Sequence, residues 1–170
     1  SLPKGAIIGF DPWLHPVDDI ETLRAALPEM TFEPMPNLVD AIWPDQPTAP
    51  VAPFFAHDVT QAGETSDAKR KRLAAMLTAD CAIITQPDSI AWLLNIRGAD
   101  IERNPVPQAF AIFHKSGTAD LFAGAGKADP VHAHLGESVT CHDITHFADA
   151  VSSLTGTVQL DPKTAPEALR

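Results

Sequence analysis

The chain has no apolar run approaching the roughly 18 residues that a membrane-spanning helix needs. It also lacks a charged-then-apolar leader, so neither a membrane span nor a secretory signal is expected, although it opens on Ser1 as a piece of something longer would. Cysteine is scarce: Cys81 and Cys141 are the only two, which excludes a disulfide-scaffold design and makes a reducing compartment, the cytoplasm, the default expectation. Their spacing leaves a bond between them open. Tyrosine is absent altogether, with no physical reason that the sequence reveals.

Positive charge is also short. Twelve Lys and Arg face 22 Asp and Glu, a formal net charge of −10 that repels phosphate backbones and anionic lipid surfaces. Neither nucleic acid nor membrane is expected as a partner. The one basic cluster, Lys69-Arg70-Lys71-Arg72, spreads around a helix and reads as a solvated face. Familiar catalytic patterns are missing too. No G-x-S-x-G elbow occurs, and "GAGK" (Gly124 to Lys127) lacks the upstream glycine of a phosphate loop and is followed by Ala128, so it reads as a turn. The Asp18-Asp19 pair opens a helix, where the dipole explains it without catalysis.

What remains is an ordinary globular composition, 45% hydrophobic and 20% charged, in 170 residues, enough for one self-sufficient domain. "GAIIGF" (Gly5 to Phe10) reads as a buried strand. A helix follows from Pro16 with Ile20, Leu23 and Leu27 on one stripe, and Met30 to Glu33 closes a βαβ opening. Pro44, Pro47, Pro50 and Pro53 recur at the three-residue period of polyproline and predict an extended strap, which a proline-reading partner could also recognise. A helix capped by Ser66 or Asp67 leads to a strand at Cys81 to Thr85. Pro87 then opens a buried helix that ends at Arg97-Gly98. Gln108 to Lys115 and Thr118 to Ala123 flank Ser116-Gly117 as a hairpin. Beyond it come a short helix at Val131 to Leu135, a strand at Ser138 to Cys141, a helix from Ile144 to Leu154, a strand at Thr157 to Leu160 and a terminal helix capped by Asp161. The order predicts an α/β fold with a mixed sheet flanked by helices.

Two groups of residues suggest chemistry. His132, His134, His142 and His146 cluster late in the chain, and the acid after His142 gives an arrangement like H-E-x-x-H. Here the acid is Asp143, too short to serve the same way, and the helix begins after His142. A third ligand could come from His134 or Cys141, so the rival enzyme reading is a free-standing histidine-metal hydrolase using His134, His142 and His146. The other residue is Arg97. At the end of a buried helix it can satisfy terminal carbonyls, with Asp100 or Glu102 as a charge partner, or it can aim its guanidinium at an anionic or carbonyl group of a ligand.

Around Arg97 the chain becomes familiar. "IGFDPWLH" (Ile8 to His15), "NLVDAIWPDQPTAP" (Asn37 to Pro50), "PDSIAWLLNIRGADIERNPVP" (Pro87 to Pro107) and "VQLDPKTAP" (Val158 to Pro166) resemble, in order and spacing, the middle domain of three-domain Xaa-Pro aminopeptidases. The resemblance implies a creatinase/prolidase N-terminal-like domain with a ribonuclease H-like α/β fold. It implies a parent of peptidase family M24, a cytoplasmic homodimer that removes the first residue from peptides with proline second, using two divalent metal ions, commonly manganese, in a following domain. None of those metal ligands belongs to this segment, so no cofactor is expected here and the segment alone is expected to be inactive. Its role would be to shape the peptide entrance and set domain or subunit geometry, with adjacent domains of the same chain as partners. "DITH" (Asp143 to His146) looks like part of the family's metal motif but lacks its upstream strand. One departure is plain: where relatives carry histidine before the Asn-Pro-Val, this chain has Arg103. Arg97 and Arg103 are the substrate-entrance candidates.

Overall fold

The computed structural model describes residues 2–170, which fall into two compact units, one running to Ala49 and including Asp161–Arg170, the other Pro50–Leu160. The first unit opens with β1 (Ile7–Phe10), α1 (Val17–Ala26) and β2 (Thr31–Pro34); the strands pair in parallel, Ile7 beside Thr31 through Phe10 beside Pro34. This is the βαβ opening that the sequence predicts. Pro16 holds the extended backbone of an N-cap, and Asp18 and Asp19 meet the positive end of α1. Only part of the predicted stripe is buried: Ile20 is 1% exposed, whereas Leu23 and Leu27 are 41% and 39% exposed. The closing residues lie along the start of this helix, with Val17 N donating to Ala165 O and Glu167 N donating to His15 O. No terminal helix beyond a 3-10 turn (Glu167–Leu169) forms after Asp161. A short α2 (Leu38–Ile42), capped by the Asn37 side chain, was not expected; five residues are too few to show a helical period. Residues 46–54 contain neither helix nor strand, in keeping with the proline spacing.

The second unit carries β3 (Phe55–Ala56), α3 (Val59–Ala62), α4 (Ser66–Met76), β4 (Cys81–Ile84), α5 (Pro87–Leu94), β5 (Ile96–Arg97), β6 (Ala109–His114), β7 (Ala119–Ala123), α6 (His132–Leu135), β8 (Val139–Asp143), α7 (Phe147–Ser152) and β9 (Val158–Gln159). Five strands form one sheet in the order β8-β7-β6-β4-β9. The β4-β6 and β6-β7 pairs are antiparallel and the β7-β8 and β4-β9 pairs parallel, so the sheet is mixed as predicted. Alternation decides its main core. Ala109, Ala111 and Phe113 of β6 and Ala119, Leu121 and Ala123 of β7 cluster with Ile90, Leu93 and Leu94 of α5, the period-2 faces of the strands meeting the apolar side of a helix. Small alanines on the strands leave room for the large helix residues, and Ile90 and Leu94 are fully buried.

Several boundaries differ from the sequence reading. Helix α4 is capped by Thr65, whose hydroxyl accepts from Ala68 N, rather than by Ser66 or Asp67. Helix α5 stops at Leu94 because Asn95 turns left-handed at φ 50°, and Ile96–Arg97 then pair with Phe55–Ala56 as β5. The predicted helix from Ile144 to Leu154 is shorter: β8 runs on to Asp143, a 3-10 turn covers Ile144–His146, and α7 spans only Phe147–Ser152.

Candidate functional site

The entrance candidates lie in and beside the loop between β5 and β6. Two chain reversals shape this loop. Gly98 N donates to Pro105 O, and Asn104 N donates to Ile101 O to close a turn that carries Arg103 at φ 63°. Only glycine fits at position 98, because a Cβ there would sit 2.6 Å from Val106 O. Arginine in the left-handed region costs about 1–2 kcal/mol, so the turn holds it against its backbone preference. Its side chain is 90% exposed and rests 3.4 Å from Glu102, itself 86% exposed, an ion pair that contributes little. Arg103, Asn104, Phe55, Ile101 and Pro105 border a surface cavity of about 410 Å³.

The loop is anchored from beneath by a buried ion pair that sequence reasoning missed. The Lys127 ammonium lies against Asp100 Oδ2, with side-chain exposures of 3% and 0%. Asp100 also accepts from Ala52 N (3.2 Å) and Gln108 N (3.4 Å), while Lys127 donates to Pro50 O (3.3 Å). One carboxylate thus ties the end of the proline-rich segment, the 98–107 loop and the turn at Gly124–Lys127 together. That turn was expected, since "GAGK" lacks the phosphate-loop context; its lysine as an internal cation was not, because nothing local links it to an acid 27 residues away.

Arg97 is engaged as a helix-end group. Its Nη1 donates to Ala91 O (3.2 Å) in the last turn of α5, as expected of a helix-end group, and to Ile96 O (2.9 Å) in β5. The suggested charge partners differ: Asp100 belongs to Lys127 and Glu102 lies beside Arg103.

The basic cluster also departs from a solvated face. Lys71 and Arg72 reach out to Asp67 and Glu64, but Lys69 and Arg70 are 2% and 3% exposed. Lys69 Nζ donates to Trp92 O (2.9 Å) and Asn95 Oδ1 (2.7 Å) and lies 4.4 Å from the Trp92 ring centroid. Arg70 Nη1 donates to Gly117 O (2.8 Å). Burial pushes both side chains' pKa values down, opposed by the carboxylates of Glu64 near Lys69 and Asp67 near Arg70, while the buried donors are satisfied by the oxygen acceptors named above.

The histidines are not brought together. His134 Nε2 meets Leu94 O at 3.0 Å on the edge of the α5 end, and His146 is exposed in the turn before α7. His142 Nε2 lies 2.8 Å from Asp120 Oδ1, whose other oxygen meets His114 Nε2 at 2.7 Å. Burial raises the Asp120 pKa, but these two hydrogen bonds outweigh it and hold the carboxyl below its ordinary range. Asp143 shapes the turn that follows β8, its Oδ1 accepting from Thr145 N (2.9 Å) and Thr145 Oγ1 (2.6 Å). Among the described residues no group of three or more His, Cys, Asp or Glu is arranged to hold a metal ion, so the donor set does not fit the rival metal-hydrolase reading. Cys81 and Cys141 are both free thiols.

With this mixed sheet and its glycine-locked loop, the chain belongs to the creatinase/prolidase N-terminal domain family, whose description residues 45–170 match. It is similar to a probable Xaa-Pro aminopeptidase P of Paracoccidioides lutzii, 32% identical over 95% of this chain and 27% of that protein. It is 34% identical to aminopeptidase P1 of Lotus japonicus over 81% of this chain and 22% of the relative. Its fold superposes with TM-score 0.88 and 30% identity on X-prolyl aminopeptidase from Caenorhabditis elegans, described as a cytosolic enzyme with a di-nuclear active site, over 99% of this chain and 30% of that one. The chain therefore spans less than a third of the length of these relatives.

Proposed function

We propose that this chain is the middle, non-catalytic domain of a three-domain Xaa-Pro aminopeptidase that releases the first residue from peptides with proline second. The observation that carries the reading is the likeness of 99% of the chain to 30% of a much longer aminopeptidase. In this reading the parent is a cytoplasmic homodimer of peptidase family M24, and two divalent metal ions, manganese, are held in a domain outside these residues. Those ions would activate the attacking water when bound. The residues present here bind and orient instead. The domain restricts the peptide entrance and fixes the geometry of its neighbouring domains or subunits. Arg103 presents its guanidinium at the entrance, and Arg97 lines the same approach while it holds the end of α5 and the start of the loop.

The test compares the longer protein with the 170-residue chain in an assay of proline-second peptides with and without manganese. Metal-dependent release of the first residue is expected from the longer protein and none from the chain alone. Metal-dependent cleavage by the chain alone, or a longer protein that cleaves no Xaa-Pro bond, would overturn the proposal.

A further inference from the structure

The tip of the 98–107 loop combines features that a merely connecting loop does not need. Arg103 is held at φ 63°, where glycine or asparagine would be easier, and yet 90% of its side chain faces solvent. An observed backbone outlier of this kind is a reason to look for function. Beside it, Phe55 and Ile101 are 49% and 42% exposed and border the same cavity of about 410 Å³. Beneath it, Asp100 and Lys127 are buried and bonded to each other and to three backbone groups, Ala52 N, Gln108 N and Pro50 O, so the tip is presented ready-formed and a ligand would not have to order it.

The chemistry selects a ligand. A guanidinium offers two parallel N–H donors that match a carboxylate, and an apolar shelf takes an apolar side chain. An apolar residue at a peptide's C-terminus carries both groups on one α-carbon. An acidic side chain puts its charge at the far end and leaves the shelf to another residue. The only acid at the tip, Glu102, pairs with Arg103 at 3.4 Å in full solvent and is readily displaced. In a chain of net charge −10 this arginine is a local exception, a cation where a carboxylate can approach.

From this juxtaposition we infer that Arg103 with the Phe55 and Ile101 shelf forms a subsite for the C-terminal carboxylate and apolar last side chain of a short peptide. It makes Arg103 a specificity-determining residue, and it rests on the peptidase reading only for the source of the peptide.

The experiment uses the longer protein, first stripped of metal so that nothing is turned over. Binding of Ala-Pro-Leu, its C-terminal amide, and Ala-Pro-Asp amide is measured by calorimetry. The free acid is expected to bind about tenfold more tightly than its amide, the worth of one charge-assisted pair. Arg103→Ala and Arg103→Gly should both bring that ratio to about one, the second while also relieving the backbone, and Arg103→Lys should restore part of it. Equal binding of acid and amide to the unaltered protein, a ratio that survives Arg103→Ala, or no binding of either peptide would overturn the inference. An Arg103-dependent preference for the Asp amide would also overturn it, in favour of acidic side chains. Metal is then restored and KM compared. A protein that cleaves no Xaa-Pro bond but keeps the Arg103-dependent ratio refutes only the peptidase reading; one that cleaves both peptides with equal KM refutes only the subsite.

Discussion

At the scale of single residues, the second unit depends on cations that are inside it. Lys127 and Asp100 are both buried, and removing one charge leaves the other without compensation. Lys127→Met is therefore expected to destabilise the chain by about 3–5 kcal/mol in urea unfolding. Adding Asp100→Asn should recover part of the loss, because a neutral amide oxygen can still accept from Ala52 N and Gln108 N. Arg103→Gly should move stability the other way, by about 0.5–1 kcal/mol, since it removes the left-handed strain and the exposed side chain contributes little. These residues show where a sequence stops being informative. Lys69 to Arg72 read as four like charges on a helix, and the run itself says solvent. The carbonyls of Trp92 and Gly117 that take in Lys69 and Arg70 lie 23 and 47 residues away. Long-range acceptors leave no local mark, so the internal cations, including Lys127 beneath the candidate site, were illegible.

At the scale of elements, legibility followed length and period. The parallel β1-β2 pair, the β6-β7 hairpin and the mixed sheet were readable, because apolar alternation and the Ser116-Gly117 turn act over neighbouring residues. Elements made by tertiary pairing were not: β3 and β5 have two residues each and exist only because they face one another. The fate of "DITH" is similar, since Asp143 ends a strand and caps a turn through Thr145. At the candidate site, the sequence pointed to the two arginines but not to the turn that exposes one and the helix end that occupies the other. Gly98 is the element-scale test of that loop. With Val106 O 2.6 Å and Pro107 Cα 2.9 Å from where a Cβ would stand, Gly98→Ala must displace backbone. A loss of about 1–3 kcal/mol is expected, the usual range for forcing an extra group into packed structure. Amide chemical shifts should change through residues 98–107 while those of β7 and β8 hold. A variant with unaltered stability and loop shifts would show that the loop is not locked at this glycine.

At the scale of the whole molecule, acid is the condition that should undo the fold. Asp120 is held below its ordinary range by His114 and His142 despite partial burial, and Asp80 by the backbone N–H and hydroxyl of Thr157. A carboxyl with a depressed pKa in the folded state binds fewer protons there than in the unfolded chain, so folding is favoured wherever the unfolded group has ionised. That contribution is fully present above the ordinary aspartate value of about 4 and disappears as pH falls through the lower folded values. The urea midpoint should therefore hold from neutrality to about pH 5 as far as these groups are concerned and decline below about pH 4. Asp120→Asn isolates one contribution: an amide cannot titrate, so the variant should start less stable at neutral pH and lose less on acidification. Equal slopes for the two proteins below pH 4 would mean that the pair of imidazoles does not hold Asp120 ionised in the folded state.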